Sequence, residues 1–143
     1  MIRITYPKFD FRIKKEEEKE WIFDEIRKQW VRLTPEEWVR QNMLQYLLQV
    51  KKYPPSLIAI EKEITVGELR KRFDILIYRK AKPWMIFECK EMNVPLNEAT
   101  IRQVLNYNIT IQADYIVITN GTDNHGFSLI TGKAEPILVL PDF

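Results

Sequence analysis

The sequence is poor in the residues that disulfide-rich, zinc-binding and phosphate-loop proteins require. Its 143 residues include one cysteine, Cys89, one histidine, His125, and four glycines. A single cysteine precludes an intrachain disulfide and favours a reducing compartment. A single histidine argues against a histidine-based zinc or hydrolase site, and neither a glycine-rich phosphate loop nor a serine elbow occurs. These absences exclude several common classes of active site.

Long apolar runs and a strong net charge are also missing. Residues 1–8 contain no apolar signal core, and no run approaches the ~20 residues of a membrane span. We therefore expect a soluble, cytoplasmic protein without a membrane segment. The formal net charge is only +2, so a DNA-binding surface would have to come from local clustering of charge. The 45% hydrophobic content is sufficient for the core of one domain.

Residues 1–33 are predicted to be an N-terminal appendage of the same domain, made of short antiparallel strands. A helix is an alternative here, because one helical face would carry Ile22, Ile26, Trp30 and Leu33. The core, residues 34–143, opens on a clear helix start. Thr34 is a capping residue, Pro35 suits the first helical position, and Glu37 would complete a capping box with Thr34. The predicted helix continues to residue 50 along an apolar stripe of Val39, Met43, Leu47 and Val50.

Strand-like segments follow at residues 57–65, 70–78 and 84–90, then a helical stretch at 96–112 and a short strand at 115–119. Short connections predict antiparallel pairing of the first three strands, and the intervening helix predicts a parallel pairing of the third and fourth. The core side of the second helix is predicted to hold Ile101, Leu105 and Ile109. One or two edge strands are expected within residues 127–140. The sequence thus predicts an α/β (α+β) mixed-sheet fold in the order helix-strand-strand-strand-helix-strand.

Three charged residues stand out in these strands. Because side chains alternate across a strand, one face of the second strand should carry Phe73, Ile75 and Ile77, and the other Asp74, Leu76 and Tyr78. Glu88 and Lys90 are two residues apart and share a face, while Phe87 and Cys89 point away. Ionisable residues in an otherwise apolar strand need partners if they are buried.

Two interpretations of these residues remain open. In the first, Glu88 and Lys90 form a buried ion pair and Asp74 pairs with a nearby arginine. In the second, Asp74 and Glu88 converge on a hard divalent cation, and Lys90 stabilises charge on a phosphate or orients a water molecule. The basic clusters at residues 51–52, 70–72 and 79–82 are interpreted as solvated surface in preference to phosphate contacts.

The spacing of Asp74 and Glu88-Cys-Lys90 resembles the signature of PD-(D/E)XK nucleases. The surrounding motifs are similar to the N-terminal nuclease domain of type I restriction enzyme R subunits, and more closely to stand-alone proteins of that domain family. These motifs span about residues 30–125 and occur at residues 33–41, 57–61, 72–74, 87–90, 103–108 and 119–121. Phe73 stands where the signature has proline, a position that varies widely in the superfamily.

The resemblance implies a metal-dependent nuclease that hydrolyses phosphodiester bonds of DNA, of restriction, defence or DNA-processing type. It implies that Asp74, Glu88 and the backbone carbonyl of Cys89 bind Mg²⁺ or Mn²⁺, and that Lys90 assists the attacking water. DNA, a second copy of the chain and partner subunits are the expected partners. Because R subunits continue into a motor and this chain ends at Phe143, we expect no ATP-driven translocation from it. A catalytically silent nucleic-acid-binding module on the same fold is the alternative.

The resemblance also implies an acid on the first helix and a glutamine–tyrosine pair beside the active site. Glu36 is preferred as the acid because it shares the spacing of Val39 and Met43, and Glu37 is kept as the alternative. Gln103 and Tyr107 lie four residues apart, on one helical face. They could contact a phosphate or stack on a base, or form an ordinary polar helix face.

Overall fold

The structure is a computed structural model that describes residues 1–108 and 110–143. Its first sheet contains β1 (Ile13–Glu16), β2 (Lys19–Asp24) and β3 (Gln29–Arg32), paired antiparallel in chain order. Asp24 shapes the turn between β2 and β3, because its Oδ1 accepts the backbone N–H groups of Ile26 and Arg27 at 2.9 and 2.7 Å. Residues 13–32 are thus an antiparallel sheet, and the helical alternative for this segment is wrong.

The main body follows with α1 (Pro35–Gln49), β4 (Ile58–Val66), β5 (Leu69–Arg79), β6 (Lys82–Cys89), α2 (Glu98–Tyr107), β7 (Tyr115–Thr119), β8 (Asn124–Ser128) and β9 (Glu135–Ile137). The last six strands form one sheet in chain order. Its pairings are antiparallel except for β6 with β7, which run parallel across the α2 crossover. The predicted mixed α/β fold and both predicted kinds of strand pairing are confirmed.

The two helices cover opposite faces of the six-stranded sheet. Under α1 lies a core that includes Val39, Met43, Leu47, Ile75, Ile77, Met85, Phe87 and Cys89. Under α2 lies a second core that includes Phe73, Leu76, Ile86, Val104, Ile116 and Ile118. No helix within residues 1–108 and 110–143 has the length and apolar character to cross a membrane.

The second helix is shorter than predicted. It begins after Asn97, whose side chain accepts the N–H of Thr100 at 2.9 Å, and it ends at Tyr107 instead of continuing to residue 112. Asn108 is the C-cap residue, and its side-chain amide donates to the carbonyl of Val104 at 2.9 Å. The predicted core position Ile109 lies outside the described residues.

The predicted alternation along β5 breaks at Asp74. Ile75 and Ile77 share a face as expected, which lies under α1, but Phe73 packs in the opposite core with Leu76. The β4–β5 ladder pairs Ile60 with Ile75 and Lys62 with Phe73 but omits the intervening residues Glu61 and Asp74. Glu61 has φ +50°, a left-handed conformation that interrupts a regular strand. This irregularity explains why the predicted shared face of Phe73 and Ile75 is wrong.

Candidate active site

The start of α1 places two acids beside the sheet. Thr34 caps the helix as predicted, because its Oγ1 accepts the N–H of Glu37 at 3.0 Å. The other half of the predicted capping box is wrong. The Glu37 carboxylate accepts instead from Arg40 at 2.8 Å, and from Arg27 and Gln41 at 3.1–3.2 Å. Hydrogen bonds from charged donors are stronger than one from a backbone amide, which explains why the Glu37 carboxylate bonds to the arginines and does not complete the capping box.

Glu36 and Glu37 consequently have different surroundings. Glu37 is buried, whereas Glu36 is exposed, so the predicted position of Glu36 on the buried stripe of α1 is wrong. The carboxyl group of Glu36 nevertheless faces the charged residues of the sheet. Its pKa is raised by burial and by the Asp74 charge, and it is lowered by Arg40 and Lys90. Glu36 is therefore the acid of α1 that lies in the electrostatic field of Asp74 and Lys90.

Asp74 is held from two sides at the interrupted position of β5. Its Oδ1 accepts from the Arg40 guanidinium at 2.9 Å, and its Oδ2 accepts from the backbone N–H of Cys89 at 2.8 Å. The second hydrogen bond joins Asp74 to the end of β6, where the ladder between the two strands has stopped. Each carboxylate oxygen has two lone pairs, so one remains on each oxygen for another partner.

Glu88 and Lys90 extend this cluster at the end of β6. Burial and the Asp74 charge raise the pKa of Glu88 to about 7, against the lowering effect of Lys90 and Arg40. The backbone N–H of Lys90 donates to the carbonyl of Thr119 at 2.8 Å, which ties the residue to β7 beyond the last strand position. The structure thus brings Glu36, Asp74, Glu88 and Lys90 into mutual electrostatic range.

The turn after β7 fixes the loop that follows Lys90. The Asn120 side chain donates to the carbonyl of Val94 at 2.9 Å and accepts the N–H groups of Thr122 and Asp123. Gly121 has φ +89°, and a Cβ added there would lie 3.3 Å from the side chain of Val39. Residues 119–121 therefore connect α1, β7 and the loop after the cluster.

Arg40 is the residue of this site that the sequence reasoning missed. It is 5% exposed, and its guanidinium donates to Glu37 at 2.8 Å, to Glu61 at 3.2 Å and to Asp74 at 2.9 Å. One signal was available: Arg40 lies three residues before Met43 at helical spacing, so a charge interrupts the apolar stripe. The predicted arginine partner of Asp74 is present, whereas no Glu88–Lys90 ion pair within 4 Å occurs in the described residues.

Arg27 continues the charged network into the first sheet. Its guanidinium donates to Asp24 at 2.8 Å, to Glu37 at 3.2 Å and to Glu61 at 3.1 Å. Arg27 and Arg40 therefore share two acidic partners, and the alternating charges run without interruption from the β2–β3 turn to Asp74. This link has no local sequence signal, because its hydrogen-bonded pairs include residues 34 positions apart.

Gln103 and Tyr107 lie on the exposed side of α2, and no described hydrogen bond joins either to the cluster. The Tyr107 ring instead covers the ammonium group of Lys71, 4.4 Å from the ring centroid. Cys89 is buried in the core under α1, and burial raises the pKa of its thiol, which agrees with a packing role for its side chain.

The residues fit a partly hydrated cation site better than a closed protein cage. No group of three or more His, Cys, Asp or Glu side chains in residues 1–108 and 110–143 is arranged to hold a metal ion. The ligand set that the sequence predicts has only two carboxylates, Asp74 and Glu88, with the Cys89 carbonyl. Mg²⁺ in proteins commonly uses one or two carboxylates and completes its shell with water and substrate phosphate. The remaining lone pairs of Asp74 are compatible with that arrangement.

The helices and strands form a mixed α/β domain that is compatible with a restriction-endonuclease-like fold, and the carboxylate–lysine cluster lies at the end of its central strands. The chain belongs to the family of the type I restriction enzyme R protein N terminus, whose model matches residues 35–141. The match begins at the first residue of α1 and leaves out the first sheet. No curated protein and no solved structure matches the chain.

Proposed function

We propose that the chain is a nuclease that hydrolyses DNA phosphodiester bonds with Mg²⁺ or Mn²⁺. The observation that supports this most strongly is the hydrogen bond from the backbone N–H of Cys89 to the Asp74 carboxylate, because it holds Asp74 beside Glu88 and Lys90, the two neighbours of Cys89. Glu36 and Glu88 both lie in the electrostatic field of Asp74. The Asp74 charge raises the pKa of both glutamates, so the carboxylates disfavour one another's ionised form. A divalent cation relieves such repulsion, and a lysine beside it can stabilise an anionic substrate.

Each residue has a separate role in this proposal. Asp74 and Glu88 would hold the metal together with the Cys89 carbonyl, and Glu36 would accept a hydrogen bond from one of its waters. When bound, the metal supplies an acidified water and neutralises charge on the phosphate. Lys90 donates to the phosphate oxygen on which negative charge increases. Arg40 and the Cys89 N–H keep the Asp74 carboxylate in one orientation.

The family gives this chemistry its context. Membership in a family named for type I restriction enzymes supports a role in restriction or defence, with DNA and partner subunits as binding partners. We extend the proposal to a cytoplasmic location, with which the single cysteine is compatible. A homodimer stays a prediction that size-exclusion chromatography with light scattering would test.

One observation favours a second candidate, a nucleic-acid-binding module that does not cut. Both Asp74 oxygens already accept hydrogen bonds, and the Arg40 guanidinium compensates the charge that a metal would use. If Arg40 keeps that position when DNA binds, the fold would recognise DNA without hydrolysing it. The two candidates differ in their response to metal.

A metal-titrated cleavage assay separates them. The purified chain is incubated with supercoiled plasmid and with single-stranded DNA, first in EDTA and then with increasing MgCl₂ or MnCl₂. The nuclease proposal expects metal-dependent cleavage that is lost in Asp74→Asn and Glu88→Gln. Glu98→Gln, which changes an exposed acid of α2, is the matched control and should cut normally. DNA binding without cleavage at every metal concentration would instead support the binding module.

A further inference from the structure

Lys71 is a largely buried residue whose ammonium group has no acidic partner in the described part of the chain. It lies on β5, three residues before Asp74, and is 5% exposed. Among the described residues, its ammonium group forms no ion pair within 4 Å. Burial lowers the pKa of Lys71 accordingly. Lysine is rarely buried without a partner because desolvating its charge is costly. The interpretation of residues 70–72 as uniformly solvated surface is therefore wrong at Lys71.

Tyr107 covers this ammonium group but does not neutralise it. The cation lies 4.4 Å from the ring centroid, and the tyrosine is itself 57% exposed. A cation–π contact at an exposed ring is weaker than a hydrogen bond between an ammonium group and an anion. An anion that reached Lys71 would thus bind it more strongly than the ring does. Exposed side chains change rotamer within nanoseconds, so Tyr107 can move aside.

The position of Lys71 relates it to the cluster around Asp74. Lys71 and Phe73 are alternate buried residues of β5, and Phe73 packs in the core under α2. Glu88 lies two residues after Ile86, which belongs to the same core. At ~3.3 Å per residue, the backbones of Lys71 and Asp74 are about 10 Å apart along the strand. That separation allows Lys71 and the Asp74 cluster to contact neighbouring phosphates of one nucleic-acid strand.

We propose that Lys71 and Tyr107 form a subsite for a backbone phosphate next to the one that is cut. Lys71 supplies the charge, and the Tyr107 hydroxyl donates a second hydrogen bond once the ring has moved off the ammonium. The inference rests on the proposed nuclease function, since it assigns the subsite to the same DNA strand. It gives Tyr107 a role in substrate binding, away from the reacting atoms.

The salt dependence of DNA binding tests this subsite without relying on cleavage. Affinity for a short fluorescein-labelled duplex is measured in EDTA at several KCl concentrations. Loss of one phosphate contact should reduce the slope of log affinity against log salt by about 0.9 in Lys71→Met. Lys82→Met is the matched control, because Lys82 is an exposed lysine at the opposite end of the β5–β6 hairpin. Tyr107→Phe should weaken binding and leave the slope unchanged.

The outcomes separate this subsite from the nuclease proposal. An unchanged slope in Lys71→Met, or an equal decrease in Lys82→Met, would overturn the subsite even if the wild type cuts DNA. A smaller slope only in Lys71→Met would support the subsite even if cleavage fails, and would leave the chain as a DNA-binding module. A wild type that binds no DNA in EDTA would overturn the subsite, and the metal-titrated cleavage assay would then decide the nuclease proposal on its own. Lys71→Met keeps the buried stem of the side chain and should melt close to the wild-type temperature, and Lys71→Gln is the second variant if it does not fold.

Discussion

Replacing Arg40 with methionine tests whether the charged network stabilises the fold. The change removes the cation that three acids share, Glu37, Glu61 and Asp74. Glu37 and Glu61 would keep Arg27, but Asp74 would keep only the Cys89 N–H. Removing one side of a buried ion pair costs roughly 3–5 kcal/mol, because the remaining charges stay desolvated. For a chain of this size, such a loss lowers the melting temperature by roughly 10 °C.

Urea and thermal melts at neutral pH measure this cost. Arg102→Met is the matched control, because Arg102 pairs with Glu98 across an exposed face of α2 at 2.6 Å. An exposed pair of this kind contributes only about 0.3–0.5 kcal/mol. The double variant Arg40→Met/Asp74→Asn should lose less than the sum of its single changes, since it removes a buried charge together with its partner. A free energy of unfolding for Arg40→Met within about 1 kcal/mol of wild type would show that the charged network does not stabilise the fold.

Three further predictions concern the candidate site. In metal-free buffer the free energy of unfolding should fall by about 3 kcal/mol between pH 4.5 and pH 8. The cause is the raised Glu88 pKa of about 7, because the folded state then holds a proton that the unfolded state has already lost. Glu88→Gln should flatten this pH dependence in urea melts. Thr34→Ala should cost about 1 kcal/mol in the same assay, and an unchanged midpoint would show that the α1 cap contributes nothing. Lys90→Ala should keep its melting temperature and lose cleavage by a factor on the order of 10²–10³, whereas a variant that cuts like the parent would remove Lys90 from the active site.

Local sequence signals were sufficient for most of the fold. Thr34-Pro35 identified the start of α1, and the lengths of the connections gave the direction of every predicted strand pair, including the parallel one across α2. These features depend on neighbouring residues and on the lengths of the connections between elements. The same is true of the strand positions of Asp74 and Glu88, which is why the sequence could nominate them.

The missed features depend on contacts between distant segments. Arg40 is recognisable as a site residue only when β4 and β5 bring Glu61 and Asp74 to it. The reversed facing of Phe73 follows from the left-handed conformation of Glu61 on another strand, which a period of two cannot show. Lys71 reads as one of three solvated basic residues until α2 places Tyr107 over it.

The ion pair between Arg27 and Glu37 limits where the chain can be truncated. A fragment trimmed to the family match would begin at α1 and would lose Asp24 and Arg27 with the first sheet. Glu37 would then have lost one of its two arginines while remaining buried beneath the helix. We therefore expect the boundary of the folding unit to differ from the boundary of the family match. The smallest autonomous piece of this chain should begin before β2, and a relative with another N-terminal extension should carry a different partner for its Glu37 equivalent.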